Sequence, residues 1–571
     1  MADSNKQSGY TPQQVPMERN LLIAFVLIGV VMWISQTYFA PPPKKPAPAA
    51  QTVSQPAAGG AAPAAEAKAP VAEMPAAPLQ QAPNATAEQA LPHLVIQTDL
   101  YRVEFSNQGG TVRSWQLRRY RGSDGKPLEL VNTAAGMDFP FSLYFNGPKP
   151  STDVNWRWYR QEADPHGLGV TYTYSDGRTS VRKAFRFQQN SYLTSVSTEV
   201  TLDGKPLPNL VEWRGGFGDL TVASAAANQR TLYFDVAQNK LIEQNAKSAS
   251  SGPVTASGNF SFGGLADNYF AAVFLPENGS AMQQVTFGDR VKTPFEGTPA
   301  PFTGVAVGDG DTNHYDLFIG PKDLDLLARI NPKLTQTVDF GWFWFLAKPL
   351  FQIVNYVNSQ FVRNFGWSIV LVTIVINIAL FPLKINSMKS MRKMQALKPQ
   401  IDAINNKYKG VSLRDPRKGD QNQEVMDLYK KHGVNPMGGC LPMILQIPFF
   451  IAFYKVFSVS VEMRGASWLW VSDLSQPEHL AIRILPVVMI ASQFIMQKMT
   501  PQAGGDPAQQ KMMQFMPLIF GFMFYNFPSG LVLYYLTSNL VSMLQQWFFN
   551  KTSLANVAAE SVLPPKKTGR K

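Results

Sequence analysis

Five apolar segments in the C-terminal part of the chain constrain its fold more than any other feature. They cover residues 367–383, 441–461, 484–499, 512–527 and 530–548, and none of them contains Asp or Glu. A helix needs about 20 apolar residues to cross the ~30 Å hydrocarbon layer of a bilayer. The segments therefore predict five membrane-spanning helices, and the shorter ones predict a bilayer that is thinned around the protein.

A sixth apolar segment, residues 20–40, contains no charged residue and follows a short terminus at 1–19. A cleaved signal peptide is the alternative interpretation, but Tyr38 stands where a small residue would be needed before cleavage after Ala40. We therefore expect a retained membrane anchor. Residues 41–91 are rich in Pro and Ala with almost no aromatic residues, which is typical of a disordered linker.

Residues 92–335 have a different pattern, in which short runs of alternating apolar and polar residues are separated by turn signals such as Asp176-Gly177. A period of two predicts half-buried strands, and Asp-Gly predicts a tight hairpin. We expect an all-β sandwich. Because Cys440 is the only cysteine, no intrachain disulfide can stabilise it.

The segment 338–361 mixes Trp, Phe and Tyr with Lys348, Pro349 and other polar residues. This composition favours a helix that lies in the membrane interface over one that spans the membrane. A buried helix of the β domain is the alternative.

The charges of the loops predict the orientation of the spans. Residues 384–436 carry twelve Lys and Arg against five Asp and Glu and should form a cytoplasmic helical hairpin, and the basic tail 549–571 should also be cytoplasmic. The loop 500–511 then lies inside, while the loop 462–483 and the β domain lie outside. The predicted fold is a polytopic α-helical membrane protein of six spans with a large extracytoplasmic all-β domain.

Residue patterns argue against an enzyme. None of the five histidines has a second His or Cys at a metal-ligand spacing, and the chain contains neither a Gly-x-Ser-x-Gly elbow nor a phosphate-binding loop. We expect no cofactor and no metal. The net charge of +12 is explained by basic cytoplasmic loops, so no specific nucleic acid partner is expected.

Uncharged polar residues occur inside several spans. Such side chains usually face water or protein, so they either line a wet groove or join helices through hydrogen bonds. The candidate groove residues are Thr373, Asn377, Gln446, Gln493, Tyr535 and Ser538.

Several motifs carry a family resemblance. Phe381-Pro382-Leu383, NPMGGCLP at 435–442 and FPSGLVLYY at 527–535 occur in order within about 340–550. With these motifs the chain resembles the YidC-type membrane protein insertases of Gram-negative bacteria, in the YidC/Oxa/Alb family. The resemblance implies five core helices around a polar groove that is open to cytoplasm and lipid. Its implied partners are nascent membrane proteins of the inner membrane, the phospholipid bilayer, the Sec translocon, and the ribosome with the signal recognition system.

Within that resemblance, Thr373 and Tyr535 match positions that the family uses to contact substrate. Asn377 departs from the pattern, because the family usually has an arginine there. One hypothesis is that Lys455, within the segment 441–461, restores part of the missing positive charge. The alternative is that Lys455 extends to the outer interface.

The basic surface of the hairpin is a predicted docking site for the ribosome, the signal recognition system or anionic lipids, although it is equally explained as a solvated positive-inside face. Its residues are Lys389, Arg392, Lys393, Lys398, Lys407, Arg414, Lys430 and Lys431. Two other function classes stay open at this point: a secondary transporter, which would show repeats and intramembrane carboxylates, and a structural assembly factor bound to the translocon.

Overall fold

The computed structural model describes residues 89–222, 225–276, 281–293, 298–310, 312–410, 415, 417–435, 441–499, 515, 517–518, 521–522 and 524–552. The predicted anchor at 20–40, nearly all of the linker, the loop at 500–511 and most of the tail lie outside these ranges, as does Arg414. The predicted span at 512–527 is described only in part.

The first described region is a β sandwich in which every strand pairing is antiparallel. Four strands, β1 to β4, form one sheet, and a 14-stranded sheet runs in the order β5-β11-β17-β16-β14-β15-β18-β9-β8-β7-β6, with β10, β12 and β13 paired at its side. The strands are β1 Leu94–Gln97, β2 Tyr101–Ser106, β3 Thr111–Arg121, β4 Pro127–Glu129, β5 Ser142–Tyr144, β6 Arg160–Ala163, β7 Gly169–Ser175, β8 Thr179–Phe187, β9 Leu193–Leu202, β10 Lys205–Pro206, β11 Asn209–Trp213, β12 Arg230–Asp235, β13 Lys240–Gln244, β14 Val254–Ala266, β15 Phe270–Pro276, β16 Ala281–Val291, β17 Ala300–Gly310 and β18 Thr312–Pro321.

The alternation of buried and less buried residues along the strands explains how the two sheets pack against each other. Along β8, every second residue is buried, as a period of two requires when one face of a strand packs on a core. Trp115 of the small sheet lies with its ring 5.6 Å from that of Phe187 in the large sheet, so aromatic side chains join the two layers. The predicted hairpin at Asp176-Gly177 joins β7 to β8, with Gly177 at φ +89°.

The helices are α1 Ala225–Asn228, α2 Leu324–Ile330, α3 Trp344–Val357, α4 Phe365–Ala379, α5 Phe381–Ala396, α6 Lys398–Lys407, α7 Arg417–Lys431, α8 Leu441–Val459, α9 Ile484–Met499 and α10 Ser529–Lys551. In the part of the chain that is described, no single helix has both the length and the apolar composition of a membrane span; one bent pair, Trp344–Val362 with Phe365–Ala379, meets both together at an angle of 115°. The number of spans therefore stays a prediction.

Helix α3, in the segment predicted to lie at the interface, is amphipathic. Leu350 and Val354 are buried and the helix packs against α8, whereas Trp344, Phe345 and Tyr356 are exposed. A π-helical turn at Asn358–Val362 ends the segment, and the side chain of Asn364 then caps α4 by accepting a hydrogen bond from the backbone N–H of Trp367.

Helix α4 ends before the limit predicted for this span, 383. Pro382 lacks a backbone N–H and therefore occupies the first turn of a new helix, α5, rather than the interior of α4. Further along, α6 and α7 form the two arms of the hairpin. The arms pack through a small apolar cluster of Met394, Leu397, Ile401, Tyr429 and Val434.

The β domain and the helical region are joined by a buried ion pair. Arg464, in the loop after α8, contacts the carboxylate of Asp219 through Nη2, and the side chains of the two residues are 6% and 1% exposed. The guanidinium also lies 5.3 Å from the ring of Tyr269. Because neither charge reaches water, each depends on the other for compensation.

Candidate functional site

The polar side chains of α4 lie on its buried face. Thr373 and Asn377 are 0% and 3% exposed, and they are four residues apart, which places them one turn apart on the same face. Thr373 donates through Oγ1 to the carbonyl of Ile369 at 2.6 Å, and Asn377 donates through Nδ2 to the carbonyl of Thr373 at 2.8 Å. Since both donors bond their own helix, the Oδ1 atom of Asn377 remains available to accept from other elements.

Lys384, in the first turn of α5, supplies a donor to that oxygen. Its Nζ donates to Asn377 Oδ1 at 2.6 Å, to Ser542 Oγ at 3.0 Å and to Gln545 Oε1 at 3.4 Å. The residue is only 7% exposed. All three acceptors are neutral, and none of the ion pairs found between described residues includes Lys384. A nearly buried ammonium is thus solvated by protein groups without a counter-ion.

Ser538 of α10 extends this network to α8. Its Oγ donates to Asn377 Oδ1 at 3.4 Å and lies 3.5 Å from Gln446 Nε2, which also donates to the hydroxyl of Tyr534 at 2.5 Å. On the other side, Gln545 Nε2 donates to the backbone carbonyl of Asn377 at 2.9 Å. We call Asn377, Lys384, Gln446, Tyr534, Ser538, Ser542 and Gln545 the polar cluster.

Three of the six predicted groove residues, Thr373, Gln493 and Tyr535, do not belong to the polar cluster. The ring of Tyr535 packs 4.9 Å from that of Phe524, so it contacts another aromatic side chain. The Oε1 atom of Gln493 is buried and has no hydrogen-bond partner within the described ranges. Thr373 contacts the cluster only through its backbone carbonyl. The groove roles of these residues stay predictions.

The structure corrects the hypothesis about Lys455. Its Nζ lies 2.9 Å from Asp339 Oδ2, in the segment that precedes α3, and its side chain is 31% exposed. Lys455 therefore points to the end of α8 that faces the β domain and makes no contact with the polar cluster. The cation beside Asn377 is Lys384.

Sequence reasoning assigned Lys384 only to the basic hairpin. A usable signal was its spacing of seven residues from Asn377, which is close to two full helical turns and brings both side chains to one face. Ser538, Ser542 and Gln545 follow at intervals of four and three residues, so they too share a face. Sequence reasoning used only the first of these three.

Four of the seven predicted docking residues that the structure describes are exposed on the hairpin, namely Lys398, Lys407, Lys430 and Lys431, and the other three are partly buried on α5. Lys407 is paired with Glu424 at 2.5 Å. Arg392 is directed elsewhere, since its Nη2 donates to Asn550 Oδ1 at 2.7 Å and so ties α5 to the end of α10. No group of three or more His, Cys, Asp or Glu side chains in the described ranges is arranged to hold a metal ion.

Comparison with known proteins gives two family matches, a 60Kd inner membrane protein family at residues 357–556 and a YidC periplasmic domain at residues 93–353. A membrane protein insertase YidC of Pelobacter propionicus is 35% identical over 563 residues, which is 94% of this chain and 99% of the relative. The chain belongs to the YidC family. A YidC of Cupriavidus necator is also 35% identical, over 89% of this chain and 92% of that protein.

The YidC family members are membrane protein insertases and not enzymes, and the two family matches meet within the last turn of α3. The β sandwich is the periplasmic domain, and the helices form an inner membrane protein. A solved structure, described as an active YidC insertase with its first transmembrane domain resolved, matches at 19% identity over 82% of this chain and 95% of that one, with a TM-score of 0.36. The family assignment does not depend on it.

Proposed function

We propose that the polar cluster is the site where this insertase receives a nascent transmembrane segment. The observation that carries the proposal is the Lys384 ammonium, which is nearly buried and is bonded only to the neutral acceptors Asn377, Ser542 and Gln545. A buried cation without a counter-ion is costly, and within a membrane protein such a residue is a functional candidate by default. An acidic group in the arriving chain would supply the missing charge.

Amide and hydroxyl groups at the cluster provide the second part of the mechanism. Moving an unpaired peptide group into hydrocarbon costs several kcal/mol, which opposes translocation of the polar end of a substrate. Gln446, Ser538 and Asn377 offer hydrogen bonds to that end within the helical region.

In this proposal, five of six spans enclose a groove open to cytoplasm and lipid, and both termini are cytoplasmic. Short spans would thin the bilayer and shorten the apolar path further.

Further partners follow from the hairpin and the family. We propose that Lys398, Lys430 and Lys431 form part of a cytoplasmic surface that contacts the ribosome, the signal recognition system or anionic headgroups. In this proposal the insertase acts alone or with the Sec translocon. Its substrates are nascent proteins of the inner membrane.

Reconstitution tests the central claim. Liposomes containing only this protein are given a small single-span substrate whose translocated end carries either an acidic residue or its amide. We expect Lys384→Gln to reduce insertion of the acidic form about tenfold, equivalent to 1.4 kcal/mol, and to leave the amide form unchanged. Lys389→Gln, which removes a neighbouring charge of the same helix, is the matched control. Insertion of the acidic substrate by Lys384→Gln at the level of the parent protein would refute the proposal, and so would an equal loss for the acidic and the amide substrates.

A double variant tests where the positive charge of the polar cluster must lie. Asn377→Arg combined with Lys384→Gln places the cation on α4 instead of α5, close to the position where the Lys384 ammonium now bonds Asn377 Oδ1. We expect this protein to recover insertion of the acidic substrate, because the charge is restored to the same face. Crosslinks from Thr373 and Tyr535 to the substrate in transit distinguish an insertase from a structural assembly factor, which would retain partner binding without them.

A further inference from the structure

A second polar site lies between the β domain and the outer end of α8. It is a cavity of about 230 Å³ lined by Arg230, Asn268, Asp339, Lys455 and Ser458, together with smaller contributions from α1 and α8. One water molecule needs only about 10–15 Å³ of such volume, so the cavity has room for a ligand of several heavy atoms. None of these residues belongs to the polar cluster.

The position of the cavity relative to the membrane follows from the segment beside it. Asp339 is followed within a few residues by Trp342, Trp344 and Phe345, which are all exposed. Exposed aromatic residues on an amphipathic helix mark the boundary between hydrocarbon and headgroups. The opening is therefore at the depth of the phospholipid headgroups of the periplasmic leaflet.

Neighbouring residues hold the side chain of Lys455 in this site. Its stem packs against Gly341, where an added Cβ would lie 2.7 Å from Lys455 Cε and where φ is +69°. Its ammonium lies 2.9 Å from Asp339 Oδ2. An ammonium has three donors, so two of them remain for a ligand at the mouth of the cavity.

Arg230 contributes a guanidinium group to the lining of the cavity. Its Nε lies 3.4 Å from Glu243 Oε1, and its side chain is 19% exposed. Phosphate oxygens fit guanidinium geometry well. Arg230 begins β12 and Lys455 is in α8, so the two cations approach the cavity from different parts of the chain.

We propose that this cavity binds the headgroup of a phospholipid that carries both a phosphodiester and a primary amine, that is, a phosphoethanolamine headgroup. The phosphodiester accepts hydrogen bonds from Arg230 and Lys455, and the amine pairs with Asp339. The two cations are balanced by Asp339 and Glu243, and this balance favours a zwitterionic headgroup over an anionic one. The bound lipid bridges the β domain and α8 at the membrane surface. The inference does not depend on the function proposed for the polar cluster.

Lipid retention tests the proposal. The full-length protein in detergent is mixed with equal amounts of phosphatidylethanolamine, phosphatidylglycerol and phosphatidylcholine, and the lipids that remain bound are measured by native mass spectrometry. We expect phosphatidylethanolamine to be retained about tenfold over the other two. Arg230→Gln and Lys455→Gln should each abolish that preference. Lys348→Gln, which removes an exposed charge from α3 at the same interface, should keep it.

Two further measurements keep the test decisive. If Arg230→Gln lowers the melting temperature, Ser458→Leu fills the cavity without removing a charge and should abolish the preference in a stable protein. Soluble glycerophosphoethanolamine and inorganic phosphate separate a headgroup from a free anion. The proposal is overturned if phosphatidylglycerol is retained equally, if phosphate competes as well as glycerophosphoethanolamine, or if the preference survives in both Lys455→Gln and Ser458→Leu.

Discussion

The β domain and the helical region differ in the groups that surround a buried charge. In the β domain, the buried carboxylate of Asp289 pairs with Arg214 at 2.5 Å. The fully buried Lys183 donates to the carbonyls of Gly109 and Phe141, and burial lowers its pKa to about 7, but the carboxyls of Glu212 and Asp138 lie nearby and oppose that shift. In the helical region, Lys384 has only neutral acceptors. Buried charges of the β domain thus have carboxyl groups as neighbours, whereas the charge at the polar cluster has no counter-ion among the described residues, and this difference is the basis of the substrate-binding role proposed for it.

The largest expected effect is on the free energy of unfolding, for a variant that removes the counter-ion of a buried charge where the two regions meet. Asp219→Asn leaves the Arg464 guanidinium buried without a counter-ion, and we expect a loss of about 3 kcal/mol in the free energy of unfolding. Asp203→Asn is the matched control, because its partner Arg178 is exposed; its effect should be much smaller than that of Asp219→Asn. Urea unfolding of the full-length protein in detergent, followed by tryptophan fluorescence, measures both. Similar losses for the two variants would contradict the expectation.

The next effect concerns Glu212, in the core of the β domain. Burial raises the pKa of this carboxyl to about 7, against 4.5 ordinarily. The folded state therefore holds its proton more tightly than the unfolded state does, so this group's contribution to stability falls as the pH rises from 4.5 through 7. We expect Glu212→Gln to reduce the loss of stability between pH 5 and 7.5 by about 2 kcal/mol.

Unfolding titrations of both proteins at the two pH values provide the measurement. Glu129→Gln on β4, which alters another carboxylate of the same domain, is the control. Parallel pH profiles for the parent and Glu212→Gln would show that burial of this carboxyl does not govern the pH dependence.

The third prediction sharpens the contrast at the polar cluster. Lys384→Met replaces an ammonium that lacks a counter-ion with an apolar chain of similar length, so we expect a change in unfolding free energy of no more than about 1 kcal/mol. The same variant should insert acidic substrates poorly. A loss as large as that of Asp219→Asn would show that Lys384 serves stability rather than substrate binding.

The smallest effect lies on the cytoplasmic hairpin. Lys407 and Glu424 form an exposed pair at 2.5 Å, and such pairs contribute little because water screens them. A double-mutant cycle of Lys407→Gln and Glu424→Gln should give a coupling within the error of the measurement. Hydrogen exchange of amides in α6 and α7 reports it, and a coupling as large as the loss expected for Asp219→Asn would place this pair among the structural ones.

Patterns of adjacent residues in the sequence correctly predicted the elements whose structure depends on residues close together in the chain. Alternation along β8 and the Asp176-Gly177 turn are properties of adjacent residues, and both occur in the sandwich. Phe381-Pro382-Leu383 similarly marks the break between α4 and α5, although the end of α4 moved because Pro382 begins the next helix. In the site, Asn377, Gln446 and Ser538 were predicted together and lie together.

Only the tertiary structure decided which charge faces which partner. The sequence by itself determined a helical membrane protein with a β sandwich and polar residues on one face of α4, because hydrophobic period and turn chemistry act over a few residues. It did not pair Lys455 with Asp339, or Lys384 with Ser542 and Gln545, because those partners are more than a hundred residues apart in the chain. A charged side chain pairs with whatever the fold brings within a few ångströms, and that depends on how helices and sheets pack.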